Sequence, residues 1–166
     1  AAGDIARACG RWGFFQAVGD GIPDGLMERV WRQAGRFFAL PHEEKLAISR
    51  TKENPHGYYD RELTKNSRDL KEVFDYGSVP YPELPADHPK NRLAVDGYNQ
   101  WPAALPEFQS TMIEHYRACE ALAFALMEAF CLGLGVPRDR LDRHFEGGHT
   151  SFARLNYYPL DDPLET

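Results

Sequence analysis

The stretch Ser151-Phe152-Ala153-Arg154-Leu155-Asn156-Tyr157-Tyr158-Pro159 is the most strand-like part of this 166-residue chain. Successive residues of a strand point to opposite sides, so one face is predicted to carry Phe152, Arg154, Asn156 and Tyr158. A strand needs neighbouring strands to satisfy its backbone groups, and only a short loop-like segment follows this one. We therefore expect more chain beyond Thr166.

Two amphipathic helices are predicted upstream of this strand. In 23–38, apolar residues recur every three or four positions, which is the helical period, and this places Trp31, Phe37 and Phe38 in the core. The second helix, 105–132, is the longest predicted element, and glycines follow it. Its apolar positions form one buried line, namely Leu105, Phe108, Met112, Tyr116, Cys119, Ala123, Leu126 and Phe130.

The remaining segments are shorter and are predicted one by one. Residues 2–12 are typical of the end of a helix, 14–18 of a short strand and 137–145 of a short charged helix. Residues 51–89 are rich in proline, glycine, asparagine and tyrosine and are predicted to be irregular, apart from a strand over 69–76. The mixture indicates an α+β fold.

Composition excludes several classes of protein. Apolar residues make up 43% and charged residues 27% of the chain, which is typical of a packed globular domain. The formal net charge of -6 disfavours nucleic acid or an anionic membrane as a partner. No apolar run reaches the roughly 20 residues of a membrane span. The three cysteines are not closely paired and no signal peptide is visible, so we expect a cytoplasmic protein.

Four segments, in this order, resemble the isopenicillin N synthase-like superfamily of iron(II)- and 2-oxoglutarate-dependent oxygenases. They are Gly10-Arg11-Trp12-Gly13-Phe14-Phe15 with Gly21-Ile22-Pro23; Phe37-Phe38-Ala39-Leu40-Pro41 with Glu43-Glu44-Lys45; Gly57-Tyr58-Tyr59 with Asp69-Leu70-Lys71-Glu72-Val73-Phe74-Asp75; and Arg154-Leu155-Asn156-Tyr157-Tyr158-Pro159. The chain departs from the pattern at Asp20, where the family often has histidine. Each motif alone is weak, and their order over nearly the whole chain carries the resemblance.

The resemblance implies a fold and a division of the chain. The family fold is a double-stranded β-helix, or jelly roll, with a helical N-terminal region packed on it. On this basis residues 1–100 form the N-terminal oxygenase region. Residues 101–166 supply a scaffold helix and the first jelly-roll strand of a core domain that is incomplete here.

The resemblance also implies an activity. The family couples oxidative decarboxylation of 2-oxoglutarate to hydroxylation, desaturation or cyclisation of a small organic substrate, using Fe(II) and molecular oxygen. The iron is held by an H-x-D pair and a distant histidine, and an R-x-S arginine grips 2-oxoglutarate. All of these follow N-Y-Y-P, so no catalytic residue and no metal ligand is assigned in this chain.

Asn156 and Tyr158 are the residues that the resemblance assigns to co-substrate binding. Their family counterparts point into the barrel, where an anionic keto acid needs neutral donors besides an arginine. The alternative for Tyr158 is a tyrosine packed in the jelly-roll core with its hydroxyl hydrogen bonded.

Arg154, Val73 and Asp75 match family positions that can face the substrate. An inward arginine must meet an anion, so Arg154 indicates either an oxygen- or carboxylate-bearing substrate or a structural salt bridge. Val73 and Asp75 would share one face of a strand, and the plainer alternative is an edge strand with Asp75 solvated. Tyr58 and Tyr59 fit a substrate lid or aromatic loop packing equally well.

Several histidines have a spacing that could suggest a metal site. His144 and Glu146, with His149 nearby, have a His-x-acid spacing, as do His42 and Glu44, and we interpret these histidines as surface or helix-capping residues. Three other functions stay open: a superfamily oxidase that does not use 2-oxoglutarate, a non-catalytic binding relative, and an unrelated helical adaptor.

Overall fold

A computed structural model describes residues 2–77, 84–85, 87–91, 97–146 and 148–160. The helices are α1 (Ala2–Trp12), α2 (Leu26–Phe38), α3 (His42–Leu46) and α4 (Pro106–Gly133). The strands are β1 (Gly57–Tyr59), β2 (Leu63–Thr64), β3 (Ser67–Arg68), β4 (Glu72–Gly77) and β5 (Phe152–Tyr157). Short 3-10 turns occupy Pro89–Asn91 and Asp142–His144. No helix among the described residues is long and apolar enough to cross a membrane.

The chain divides into two compact units. Unit 1 comprises residues 1–26 and 115–149, and unit 2 comprises residues 27–114 and 150–166. In unit 1, Phe15 packs edge-on against Phe130 of α4 at 6.2 Å between ring centroids. Gly133 lies close to α1, since a Cβ there would be 2.9 Å from the Cβ of Ala6. Small side chains thus allow α1 and the end of α4 to approach closely.

Unit 2 contains an antiparallel three-stranded sheet in the order β1-β4-β5. Its central strand, β4, is buried along its whole length. The separate hairpin of β2 and β3 turns at Lys65 and Asn66, which both have positive φ angles. A positive φ is tolerated best by glycine and asparagine, so Asn66 suits this turn.

An aromatic core covers one face of the sheet in unit 2. Phe74 of β4 lies 4.9 Å from Phe37 of α2 and 5.2 Å from Phe108 of α4, measured between ring centroids. All three side chains are fully buried. Trp101 completes the cluster at 6.0 Å from Phe74. We call the side of the sheet that carries Phe74 the core face.

The long elements confirm the sequence predictions. The helix predicted at 105–132 is α4, and the strand predicted at 151–159 is β5. Helices and an antiparallel sheet together confirm the α+β class. The apolar line of α4 is buried from Leu105 through Tyr116, whereas Phe130 is 40% exposed.

Two predictions near the N-terminus are wrong. Residues 14–18 form no strand, because a strand requires a neighbour and none of the described strands pairs with this segment. Trp31 is 72% exposed rather than buried. In the same helix the polar Gln33 is buried instead, at 1% exposure, and its amide donates a hydrogen bond to Glu107.

Other boundaries shift or shorten. The second helix begins at Leu26 rather than Pro23, because the positive φ of Gly25 ends the preceding turn. The predicted 137–145 helix is reduced to turns around a 3-10 segment. The region predicted to be irregular also contains β1, β2 and β3 in addition to the predicted strand, which is β4.

Candidate functional site

The pairing of β4 with β5 brings four of the predicted site residues onto one face of the sheet. Val73 lies opposite Asn156, and Asp75 lies opposite Arg154. Directly opposed residues in an antiparallel pair point to the same side, so the two predicted sets meet across the strands. We call this side, opposite the core face, the site face. The prediction that Val73 and Asp75 share a face is confirmed by this register.

The Asp75 carboxylate is held by two arginines. Arg154 donates from Nε to Oδ1 at 2.6 Å and from Nη2 to Oδ2 at 2.8 Å, which is the two-pronged geometry of a guanidinium on a carboxylate. Arg50 adds a third hydrogen bond to Oδ2 at 3.2 Å. The expectation of a solvated Asp75 on an edge strand is wrong, because β4 is the central strand and Asp75 is 3% exposed.

Glu62 extends this pair into a larger network. Its Oε1 accepts hydrogen bonds from Arg154 at 2.8 Å and from Arg50 at 3.2 Å. Its Oε2 lies 3.0 Å from the Lys71 ammonium, which is also 3.3 Å from Asp69. We call these six residues (Arg50, Glu62, Asp69, Lys71, Asp75 and Arg154) the charge network. Arg50, Glu62 and Lys71 were not singled out from the sequence, because their partners are separated from them by up to 92 residues.

The charges of the network perturb one another. Burial raises the pKa of Glu62, but the hydrogen bond from Lys71 and the charges of Arg154, Lys71 and Arg50 outweigh it, and the pKa falls below its ordinary value. The hydrogen bonds to Glu62 and Asp69 raise the pKa of Lys71. The hydrogen bond to Asp75 raises the pKa of Arg154. Each of these three shifts favours the charged form of its group, so Glu62, Lys71 and Arg154 are charged near neutral pH.

A cleft of about 260 Å³ opens beside the network. Arg50, Asp75 and Arg154 line its polar side, and Phe152 and Pro55 contribute apolar surface. Of the predicted residues, Val73 is fully buried, whereas Asn156 is exposed and Tyr158 is 65% exposed just after the end of β5. Within the described part of the chain, Asn156 and Tyr158 are thus accessible from solvent.

The core face carries a second polar group that the sequence did not reveal. Glu72 Oε2 accepts hydrogen bonds from the Lys45 ammonium at 2.5 Å and from the Tyr58 hydroxyl at 2.6 Å. Burial and the neighbouring carboxylates Glu72 and Asp60 raise the pKa of Tyr58 far above its ordinary value. Lys45 and Glu72 stand in two of the motifs quoted above, and that shared membership is the only sequence signal that links them.

Tyr58 and Tyr59 have separate roles. Tyr58 is 1% exposed in β1 and belongs to the core, so a lid role is wrong for it. Tyr59 is half-buried, and the Arg50 guanidinium lies 3.8 Å above its ring centroid. This contact fixes Arg50 at the cleft by a cation-π interaction.

The histidines with suggestive spacing are engaged elsewhere or exposed. His42 lies 2.8 Å from Asp60, and His149 lies 2.9 Å from Glu120. His144 is exposed in its 3-10 turn. In the ranges that the structure describes, no group of three or more His, Cys, Asp or Glu side chains is arranged to hold a metal ion. The described residues therefore do not fit an iron site.

Comparison with known proteins defines the family. A family model described as "non-haem dioxygenase in morphine synthesis N-terminal" matches residues 1–104, so this chain belongs to that family, within the 2-oxoglutarate/iron(II) oxygenase superfamily. A 2-oxoglutarate-Fe(II) type oxidoreductase of Emericella nidulans is 36% identical over 92% of this chain and 46% of its own length. The chain thus spans about half the length of the curated relatives that it matches.

Solved structures support the same relationship. A full-length Neurospora crassa protein, crystallised in complex with alpha-KG and thymine, superposes with a TM-score of 0.71 at 26% identity, covering 95% of this chain and 49% of that one. An oxygenase-family protein of Caulobacter crescentus superposes with a TM-score of 0.75 at 25% identity, covering 95% and 51%. The resemblance drawn from the four sequence segments is confirmed.

Proposed function

We propose that this chain forms part of an oxygenase that couples decarboxylation of 2-oxoglutarate to oxidation of a small organic molecule. The overall reaction consumes 2-oxoglutarate, molecular oxygen and one substrate C–H bond and yields succinate, carbon dioxide and, for hydroxylation, the alcohol. The observation that carries the proposal is the β4-β5 register, which gathers residues from two separate family motifs onto one face. Family membership and the bound alpha-KG of the Neurospora crassa neighbour support it.

Among the described residues no group of three or more candidate ligands could hold a metal ion, and the part proposed for these residues is binding and orientation. The iron supplies the oxidising power when bound. Strand β5 is proposed to be the first strand of the double-stranded β-helix, and β4 and β1 of the N-terminal region are proposed to extend the sheet beside it. In this arrangement residues 101–166 contribute the scaffold helix and its first strand, residues 1–100 form the outer region, and the site face looks into the barrel.

Asn156 and Tyr158 are proposed to contact 2-oxoglutarate. Both are accessible, and Asn156 lies on the site face while Tyr158 follows directly after β5. An amide and a phenol hydroxyl are neutral donors that can hydrogen bond a keto acid without competing with its charged partner. A hydrogen bond to a charged group contributes about 1.5–3 kcal/mol, which corresponds to at least about tenfold in affinity.

The test is iron-dependent succinate formation by the full-length protein, with Tyr158→Phe and Tyr157→Phe compared. Tyr157 is the matched control, because it is the neighbouring tyrosine but lies opposite Glu72 and stacks on Phe38 at 5.1 Å on the core face. We expect Tyr158→Phe to raise the KM for 2-oxoglutarate by about tenfold or more and Tyr157→Phe to leave it unchanged. Equal effects of the two variants would contradict the role of Tyr158.

Val73, Asp75 and Arg154 are proposed to border the substrate rather than the co-substrate. Asp75 and Arg154 line the cleft together, and Val73 lies on the same face of β4 as Asp75. The Neurospora crassa neighbour is bound to thymine, which is a small molecule, and a substrate of similar size is proposed here.

A further inference from the structure

We propose that the cleft beside the charge network binds an uncharged, oxygen-bearing part of the substrate. This inference rests on the proposed function and names the substrate class of the same site. The sequence left two roles open for Arg154, namely a salt bridge within the protein and a contact to an oxygen- or carboxylate-bearing substrate. We infer that Arg154 forms the salt bridge and that its remaining donors meet a neutral oxygen of the substrate.

The charge network contains equal numbers of positive and negative groups. Three cations, Arg50, Lys71 and Arg154, face the three carboxylates of Glu62, Asp69 and Asp75, and every contact is 3.3 Å or shorter. The network is therefore neutral as a whole. A neutral network exerts little net attraction on an anion or a cation over distance, so a charged ligand gains little from the network as a whole.

The network residues at the cleft have unused hydrogen-bond donors, whereas their acceptors are occupied. Both oxygens of Asp75 and both oxygens of Glu62 already accept from the cations of the network. A guanidinium has five N–H donors. Among the described residues, Arg154 uses three in this network and Arg50 uses two, so two donors of Arg154 and three of Arg50 lie outside these hydrogen bonds. Both side chains line the cleft. The site therefore offers hydrogen-bond donors and suits a ligand that accepts.

An anionic ligand in the cleft would be energetically unfavourable. A carboxylate in the cleft would come close to Asp75, which is 3% exposed, and like charges repel. If it took Arg154 from Asp75, a buried carboxylate would lose its main partner, which is strongly unfavourable. A carbonyl, ether or hydroxyl oxygen can accept from the spare N–H groups and leaves the existing pairs intact.

The apolar side of the cleft sets the rest of the ligand. Phe152 is 56% exposed and lines the cleft with Pro55. The volume of about 260 Å³ is slightly below the usual range of whole-ligand sites, so the cleft suits one part of a ligand, such as one ring with short substituents. The ligand part that fits is thus a small apolar ring or chain carrying a neutral oxygen acceptor.

Three probes of almost identical shape test this inference. Benzamide is neutral, benzoate is anionic and benzamidine is cationic at pH 7. Each is titrated into the full-length protein without iron and 2-oxoglutarate, and chemical-shift changes give the dissociation constants. We expect benzamide to bind at least about tenfold more tightly than benzoate, a ratio that corresponds to roughly 1.4 kcal/mol. Benzoate binding as tightly as benzamide, or no binding by any probe, overturns the inference.

Two variants change the charge of the cleft in opposite directions. Asp75→Asn leaves one positive charge in excess and is expected to improve benzoate binding by about tenfold relative to benzamide. Asp69→Asn is the matched control, because it removes the same charge from a residue that does not line the cleft and that lies beside Lys71. We expect it to change the ratio of benzoate to benzamide binding much less than Asp75→Asn does. If Asp75→Asn does not fold, Arg50→Gln serves instead and is expected to favour benzamidine. Probe preferences that ignore these changes contradict the inference.

The outcomes separate this inference from the proposed function. The titrations do not involve turnover, whereas the proposed function is tested by succinate formation. Succinate formation together with benzoate preference would sustain the oxygenase and refute the neutral-ligand cleft. A benzamide preference in a protein that forms no succinate would sustain the cleft and refute the oxygenase.

Discussion

The buried Lys45–Glu72 pair allows the sharpest test of the energetics in unit 2. Both side chains are 7% exposed, and their charged atoms are 2.5 Å apart. Removing one partner from a buried pair costs about 3–5 kcal/mol, because the remaining charge stays buried without compensation. We therefore expect Lys45→Met and Glu72→Met each to lower the free energy of unfolding by this amount.

The double variant distinguishes this explanation from simple loss of packing. With both charges removed, no uncompensated ion remains, and the Tyr58 hydroxyl retains Asp60 as a neighbouring carboxylate. We expect the double variant to cost no more than either single variant, which gives a coupling energy of about 3–5 kcal/mol. Urea unfolding followed by circular dichroism measures all four proteins of the cycle.

A solvent-exposed pair in the same unit provides the control. Arg29 and Glu114 are 2.6 Å apart, but their side chains are 36% and 45% exposed. Arg29→Met is expected to cost less than about 1 kcal/mol. Losses below about 1 kcal/mol for Lys45→Met, or additive losses in the double variant, would refute the role given to burial.

Three further predictions concern the backbone, the core and acid stability. Gly57→Ala should lower the free energy of unfolding by more than about 3 kcal/mol or prevent folding, because the φ of Gly57 is +123° and a Cβ would lie 2.2 Å from a backbone oxygen. Gly10→Ala, in open space on α1, should instead raise it by about 0.5–1 kcal/mol. Thermal unfolding of the two variants and the parent measures the difference. Phe37→Ala should cost about 3–5 kcal/mol in urea unfolding and Trp31→Ala at most about 0.5 kcal/mol, since they are 0% and 72% exposed. Folding lowers the pKa of Glu62 from 4.5, so the stabilisation that its carboxylate contributes is fully present above pH 4.5 and is lost as pH falls through the lowered pKa. The free energy of unfolding of a Glu62→Gln variant should therefore fall less over that acid range than that of the parent. Identical dependence of the unfolding free energy on pH in the two proteins would contradict this.

The sequence predicted the elements of the fold that have a regular local pattern of apolar residues. The helix α4 and the strand β5 have long, regular patterns, and both form within a residue or two of their predicted limits. The segment Phe14–Val18 has a strand-like composition, but composition does not supply a partner strand. Trp31 fits the helical period, yet the tertiary structure places the polar Gln33 in the core instead. Such choices depend on contacts between distant residues.

For the candidate site, too, the sequence predicted local features but not the contacts between distant residues. Asp75 and Arg154 were each identified from the sequence, and the alternation within each strand predicted their faces correctly. Their mutual salt bridge, and the inclusion of Arg50 and Glu62, depend on the register between strands that are about 80 residues apart. No pattern within a single strand encodes that register.

The decisive experiment is to ask whether the full-length protein, given Fe(II), converts 2-oxoglutarate to succinate. We predict succinate formation that requires iron and oxygen, stops when the iron is chelated, and increases when a small neutral substrate is present. Absence of both iron binding and succinate formation in a folded full-length protein would contradict the proposed oxygenase activity, and would leave a binding protein that shares the fold.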